Sequence, residues 1–148
     1  LGTKKKDIAG NEYIYLAGVA SNAAGEFVVW DEAFATTRLT ADEVGPVGIS
    51  MAAFDATTEY GWAQIFGKNT VAKTDTVAAD KACYIDGTAG RVDDAKVNGD
   101  EVHGCFTSTA DTTNVATVWL NSETEANDQT RIYNVDSCFV YLDPPQTA

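Results

Sequence analysis

Two stretches of this chain, Glu12-Tyr-Ile-Tyr-Leu-Ala-Gly-Val-Ala20 and Tyr60-Gly-Trp-Ala-Gln-Ile-Phe66, predict its fold. Large apolar residues alternate in both, and a period of two is typical of a β-strand with one buried face. In the first stretch, Tyr13 and Tyr15 are expected on one face of the strand, and Ile14 and Leu16 on the other. In the second stretch, the residues expected to share a face are Tyr60, Trp62, Gln64 and Phe66. Both stretches therefore predict strands that carry aromatic rings along one side.

The rest of the chain repeats this pattern of short apolar segments bounded by Gly, Asn and Asp. The further predicted strands are Phe27–Trp30, 46–54, Ala82–Ile85, 105–109, Val115–Leu120 and 138–142, and Pro144-Pro145 ends the last of them. Helix signals are weak, and only Thr40-Ala-Asp-Glu43 has a capping-box pattern that fits one turn of helix. The sequence predicts an all-β protein, a small antiparallel β-barrel or sandwich with minimal helix.

Landmarks in the first part of the chain have counterparts in the second. Leu16-Ala17-Gly18, Val29-Trp30-Asp31 and Val47-Gly48-Ile49-Ser50 correspond to Ile65-Phe66-Gly67, Tyr84-Ile85-Asp86 and His103-Gly104-Cys105-Phe106, at offsets of 49, 55 and 56 residues. The series fits two similar β units at 12–54 and 60–120, and it equally fits a chance likeness of Gly-bounded strands. We expect a β domain over 12–142, an N-terminal arm over 1–11 and a C-terminal tail over 143–148.

Charge and hydropathy narrow the classes of partner. The 148 residues carry 10 Lys and Arg against 22 Asp and Glu, a formal net charge of −12. A protein that neutralises phosphates needs a basic face, so no nucleic-acid partner is expected. The longest stretch without a charged residue, 13–25, has 13 residues. A membrane-spanning helix needs about 20 residues, so no membrane partner is expected either.

The residues that could carry chemistry form no recognisable site. His103 and Cys105, two apart on a predicted strand, would share a face and are the one candidate for a nucleophile with its base. Three cysteines separated by 22 and 33 residues match no compact zinc site and no disulfide framework, so reduced thiols are expected. Adjacent carboxylate pairs, and a calcium site at Asp93, Asp94 and Asp100, are better explained as solvated loop charges. We expect no enzyme, no metal and no cofactor.

The candidate functional residues are instead contact residues. They are Lys4, Lys5 and Lys6, a basic segment in an acidic protein, and Tyr13, Tyr15, Tyr60 and Trp62 on the strand faces. Exposed aromatic rings often mark protein contacts, although half-buried packing accounts for them equally well. The lysines, likewise, fit either a binding arm or a solvated terminus.

Four segments, 10–21, 44–53, 60–68 and 86–100, together resemble small structural proteins of tailed bacteriophages, especially marine ones. The resemblance covers roughly residues 1–120 and points to head decoration, or cement, proteins. It implies a non-enzymatic, β-rich accessory subunit, made in the host cytoplasm and bound to the major capsid protein on the outer surface of the virion. A homotrimer or another homo-oligomer is implied. A tail or fibre component and a carbohydrate-binding β domain are the alternatives.

Overall fold

Ten β-strands and no helix form the regular structure of residues 1–120, the part of the chain that the computed structural model describes. The strands are Lys4–Lys6 (β1), Glu12–Ala17 (β2), Phe27–Trp30 (β3), Thr36–Arg38 (β4), Val47–Ser50 (β5), Tyr60–Lys73 (β6), Ala82–Ile85 (β7), Val92–Asp93 (β8), Glu101–Thr107 (β9) and Val115–Leu120 (β10). Neighbouring strands pair antiparallel, and the sheet curls into a half-barrel. The all-β prediction is confirmed. Residues 40–43 form a turn, and the predicted strand at 138–142, Cys138 and the tail lie outside the described residues.

The same scheme of strand pairings occurs twice along the described chain. The first set has the order β4-β3-β5-β6-β2 and uses the first part of β6, and the second has the order β8-β7-β9-β10-β6 and uses the last part of β6. In each set an isolated parallel bridge joins the outermost strands, Ala17 to Ala35 in the first and Thr74 to Val92 in the second. The two sets therefore divide inside β6, whereas the sequence landmarks place the halves at 12–54 and 60–120.

A buried hydroxyl group fixes the same strand end in both sets. Ser50 Oγ donates to the carbonyl of Ala23 at 2.8 Å, and Thr107 Oγ1 donates to that of Ala78 at 2.7 Å. Both residues are fully buried, so each hydroxyl would be costly to leave without a hydrogen bond. The two sets thus share a local interaction as well as a topology.

Strand β6 changes partners at Gly67, next to a register shift of the β-bulge type, and a bulge bends the strand that carries it. Gly67 has a φ of +99°, and a side chain there would meet Asn11 Oδ1. The buried Gln64 side chain donates to the carbonyls of Phe66 and Lys68, both at 3.1 Å, and so fixes the backbone on both sides of Gly67. A register shift places Phe66 opposite Glu12. The expectation that Phe66 shares a face with Tyr60 is therefore wrong, because the shift turns its side chain to the other side.

One hydrophobic core joins the two sets. Its buried members include Phe27, Ile49, Cys83, Ile85 and Val118, from both parts of the chain. A second, smaller cluster of Ile14, Leu16, Val28 and Ala63 lies inside the first set. Because the larger core is shared, neither set buries its apolar residues alone.

An ion pair reinforces this junction. Arg38 donates to both carboxylate oxygens of Glu26, at 3.0 and 2.8 Å, and to the carbonyl of Ala89 at 3.0 Å. The Glu26 side chain is only 7% exposed, so its charge depends on Arg38 for compensation.

We expect Arg38→Met to lower the free energy of unfolding by about 3 kcal/mol, since it leaves a buried carboxylate unpaired. Urea denaturation measures this, with Arg91→Met as the matched arginine control. The double variant Glu26→Gln/Arg38→Met should regain part of the loss. Equal destabilisation by the Arg38 and Arg91 variants would contradict the role of the pair.

Candidate functional site

Strand β1 brings the three lysines into the sheet. Lys4, Lys5 and Lys6 lie opposite Ile14, Tyr13 and Glu12 of β2. Two backbone bonds extend the ladder, from Gly2 N to the Tyr15 carbonyl and from Tyr15 N to the Thr3 carbonyl, at 2.8 and 2.9 Å. The expectation of an arm that precedes the first strand is therefore wrong for residues 4–6, because the turn after Lys6 folds them back along β2.

Five of the seven predicted contact residues meet on one face of β1, β2 and β6. Lys5 Nζ lies 4.2 Å from the Trp62 ring centroid and 5.5 Å from that of Tyr13. Tyr15 meets Trp62 edge to face at 5.0 Å and stacks on Tyr60 at 6.2 Å. We call these five residues, Lys5, Tyr13, Tyr15, Tyr60 and Trp62, the aromatic-lysine face. It joins an ammonium group to a continuous aromatic surface, an arrangement stabilised by cation–π attraction.

Lys4 and Lys6 do not belong to this face. They alternate with Lys5 along β1, so their side chains lie on the opposite side of the strand. Lys6 Nζ is 3.2 Å from Glu12 Oε2, an exposed ion pair, and Lys4 lines a cleft described below. The lysine run thus supplies one residue to the aromatic surface and two to the other side.

The turn between β1 and β2 is built around Asp7. Asp7 Oδ1 accepts the backbone N–H groups of Ala9 and Asn11, both at 2.9 Å. Asp7 Oδ2 accepts the Asn11 side-chain amide at 3.0 Å and the Tyr13 hydroxyl at 2.9 Å. These bonds fix the turn, and Ile8 at the tip of the turn is fully exposed. The turn therefore ties the hairpin to an aromatic ring of the face.

The ionised form of Asp7 is the one that holds the turn. The hydrogen bond from the Asn11 side chain, followed by that from Tyr13, lowers the pKa of Asp7 below its usual value of 3.8. Burial and the bond to Asp7 raise the pKa of the Tyr13 hydroxyl above 10.0. The contribution of Asp7 is thus complete above pH 3.8 and is lost as the pH falls through its lowered pKa.

A carboxyl titration followed by NMR should place the pKa of Asp7 below 3.8. Tyr13→Phe should move it back toward that value, because the variant removes one donor to the carboxylate. A pKa at or above 3.8 in the unaltered protein would contradict the hydrogen-bonded turn.

The second strand set shows that the fold does not need these aromatic rings. Counted from the first pair of each ladder, Tyr60 with Ala17 and Val115 with Lys73, the positions of Tyr15, Tyr60 and Trp62 correspond to Val71, Val115 and Thr117, at offsets of 56, 55 and 55 residues. Val71 is as exposed as Tyr60, at 50% and 53%. No described strand in the second set corresponds to β1. The aromatic-lysine face is thus an addition to a repeated scaffold, which favours a role in binding.

The catalytic candidates do not come together. His103 is exposed, whereas Cys105 is buried, because Gly104 has a φ of +74° and interrupts the alternation of β9. The expectation that these two residues share a face is wrong for this reason. Cys83 is also buried, and neither cysteine forms a disulfide within residues 1–120. Over the same residues, no three His, Cys, Asp or Glu side chains are arranged to hold a metal ion.

Acidic residues near β8 crowd one another. Burial raises the pKa of Asp93 above 3.8, and the charges of Asp86, Asp94 and Asp75 add to this, against a hydrogen bond from the Ala95 N–H group. Because the folded-state pKa is raised, ionisation of Asp93 costs stability as the pH rises through that value.

Asp93→Asn should therefore stabilise the protein at pH 7, by less than about 1 kcal/mol given partial exposure. The gain should vanish near pH 3, where Asp93 is protonated in both states. Thermal unfolding at the two pH values measures this, with the exposed Asp55→Asn as control. A gain in stability at pH 7 no larger than that of the control would contradict the unfavourable environment of the ionised Asp93.

A cleft of about 870 Å³ opens beside β1, between the two strand sets. Its walls are mostly apolar and include Ile14, Trp30, Phe34, Pro46, Val47, Ile65, Phe66, Ile85, Val102 and Leu120. The charged residues Lys4, Glu12, Glu43 and Glu101, together with His103, also line it. Sequence reasoning missed this cleft, because its walls come from segments more than 100 residues apart. The composition Ala9-Gly10-Asn11 does predict a turn before the first strand, but sequence reasoning missed the role of Asp7 as its acceptor, which Asp7-Ile-Ala-Gly-Asn11 could have suggested.

Comparison with known proteins adds no identification: no protein-family model, curated protein or solved structure matches the chain. Among the described residues, none forms a helix that could cross a membrane.

Proposed function

We propose that this chain is a structural virion protein that binds the major capsid protein and stabilises the outer surface of a tailed-phage head, as a homo-oligomer and without catalysis. The observation that carries the proposal is the aromatic-lysine face, since within residues 1–120 the repeated scaffold bears it only once. The family resemblance of segments 10–21, 44–53, 60–68 and 86–100 supplies the identity of the partner.

The composition of the face suits a protein contact. Aromatic residues are enriched where proteins bury surface against each other, and fixed rings lose little side-chain entropy on binding. Tyr15 and Trp62 are already ordered by ring contacts at 5.0 Å. Lys5 lies over Trp62, where it leaves less of the indole ring open to the flat stacking that a sugar would need. Protein binding is therefore favoured over carbohydrate binding.

Stabilisation of a shell follows from mass action. A protein that binds only the assembled lattice stabilises each site by RT ln(1 + [L]/Kd), where L is the free protein, and the sites add. The net charge of −12 opposes non-specific aggregation of the free protein and keeps it available for the lattice.

The first experiment measures the copy number of the chain in purified particles by quantitative mass spectrometry. The proposal predicts hundreds of copies per head and lower heat resistance in particles that lack the protein. A few copies per particle would indicate a tail or fibre component, and unchanged heat resistance would remove the stabilising role.

The second experiment tests the face itself. Tyr60→Ala and Trp62→Ala together should reduce occupancy on particles about tenfold or more, since loss of interface aromatic residues commonly costs over 1.4 kcal/mol. Val71→Ala, at the exposed position of the second set that corresponds to Tyr15, should leave occupancy unchanged. Equal effects of the two changes would contradict the assignment of the face.

A further inference from the structure

Among residues 1–120, strand β1 is paired on one side only, with β2. Tyr15 N donates to the Thr3 carbonyl and Asp7 N to the Asn11 carbonyl, each at 2.9 Å, which sets the phase of the β1–β2 ladder. In an antiparallel pair the residues alternate, so the backbone groups of Lys5 point to β2 and those of Lys4 and Lys6 point away. No other described strand pairs with β1 on that side. Such an edge is a template for a further strand.

The charges of the edge select what binds there. All three residues of β1 are lysines and are exposed, in a protein of net charge −12. A second copy paired edge to edge would bring six lysines together, so like-charge repulsion opposes it. An acidic strand would be attracted. The edge therefore favours a partner of opposite charge over another copy of this chain.

The cleft adds an apolar requirement beside this edge. The side chain of Lys4 lies on the same side of the sheet as Ile14, and both line the cleft together with Trp30 and Phe34. A strand added to β1 would direct alternate side chains toward this side. Apolar side chains would enter the cleft, and the acidic side chains that alternate with them would lie on the opposite side of the sheet, beside Lys5.

We propose that β1 and the adjoining cleft bind an extended segment of the partner protein, bearing both acidic and apolar residues, by addition of a strand. Under the proposed function, on which this identification of the partner rests, the segment belongs to the major capsid protein. Main-chain hydrogen bonds to Lys4 and Lys6 supply the affinity, and the charge and the cleft supply the selectivity.

The test uses the full chain and a blocked peptide, acetyl-Glu-Val-Glu-Val-Glu-Val-Glu-amide, with the corresponding Lys-Val peptide as control. Amide exchange measured by NMR should slow for Lys4 and Lys6 by about tenfold or more at saturating Glu-Val peptide, with little change for Lys5. The Lys-Val peptide should have no such effect. Equal binding of the two peptides would overturn the proposal. NMR chemical-shift changes that lie away from β1 and the cleft would overturn it as well.

Two variants sharpen the test. Lys6→Pro removes an outward N–H group and no ladder bond to β2, so it should weaken peptide binding about tenfold. Lys5→Glu should shift the preference toward the Lys-Val peptide, because Lys5 lies on the side that receives the charged residues, whereas Lys96→Glu should not. A charge-reversed protein that keeps its preference for the Glu-Val peptide would refute the selection by charge.

The remaining outcomes separate this proposal from the proposed function. If the Lys4 and Lys6 amides already exchange slowly in the free protein, another part of the chain or a second copy covers the edge, and the proposal fails. If the peptide binds as expected but the protein is absent from phage heads, strand addition stands and the function on the head fails. If the protein decorates heads but binds no peptide, the function on the head stands and strand addition fails.

Discussion

The bend of β6 at Gly67 is the constraint on which the rest of the structure depends. It lets one strand pair first with β2 and β5 and then with β10, so both strand sets share it. Asn11 packs against this bend, and its Oδ1 accepts the Lys68 N–H group at 3.1 Å. Asn11 also donates to Asp7, and Asp7 holds the turn that returns β1 along β2. The position of Lys5 over Trp62 therefore follows from a glycine on another strand.

Both strand sets build the scaffold, and the first set also carries the proposed binding surfaces. Each set fixes a strand end with a buried hydroxyl, Ser50 or Thr107, and both contribute to the shared core. Of the two sets described in residues 1–120, the first carries β1 and the rings of the aromatic-lysine face, and β1 borders two surfaces. Lys5 belongs to the aromatic-lysine face, whereas Lys4 faces the cleft. A short strand thus connects the proposed contact face with the proposed strand-addition site.

Much of the fold could be predicted from the sequence, because strand alternation is a local property. The opposite burial of Ile14 and Tyr15 is visible in their spacing. The errors came from residues that interrupt the period: the register shift at Phe66 and the positive φ of Gly104 each move a side chain to the other face. The five residues of the aromatic-lysine face were all candidates in the sequence, but their meeting required long-range pairing. Nothing local marked β1 as a strand, since three lysines bury no apolar surface.

A cryo-electron microscopy map of the decorated head tests the central claim most directly, because it shows which surface of the chain meets the shell. The aromatic-lysine face, centred on Tyr15 and Trp62, should lie within about 4.5 Å of the major capsid protein, the distance at which side chains are in contact. The corresponding surface of the second set, around Val71, should stay in solvent. A map in which Val71 meets the shell and Trp62 faces solvent would contradict the claim.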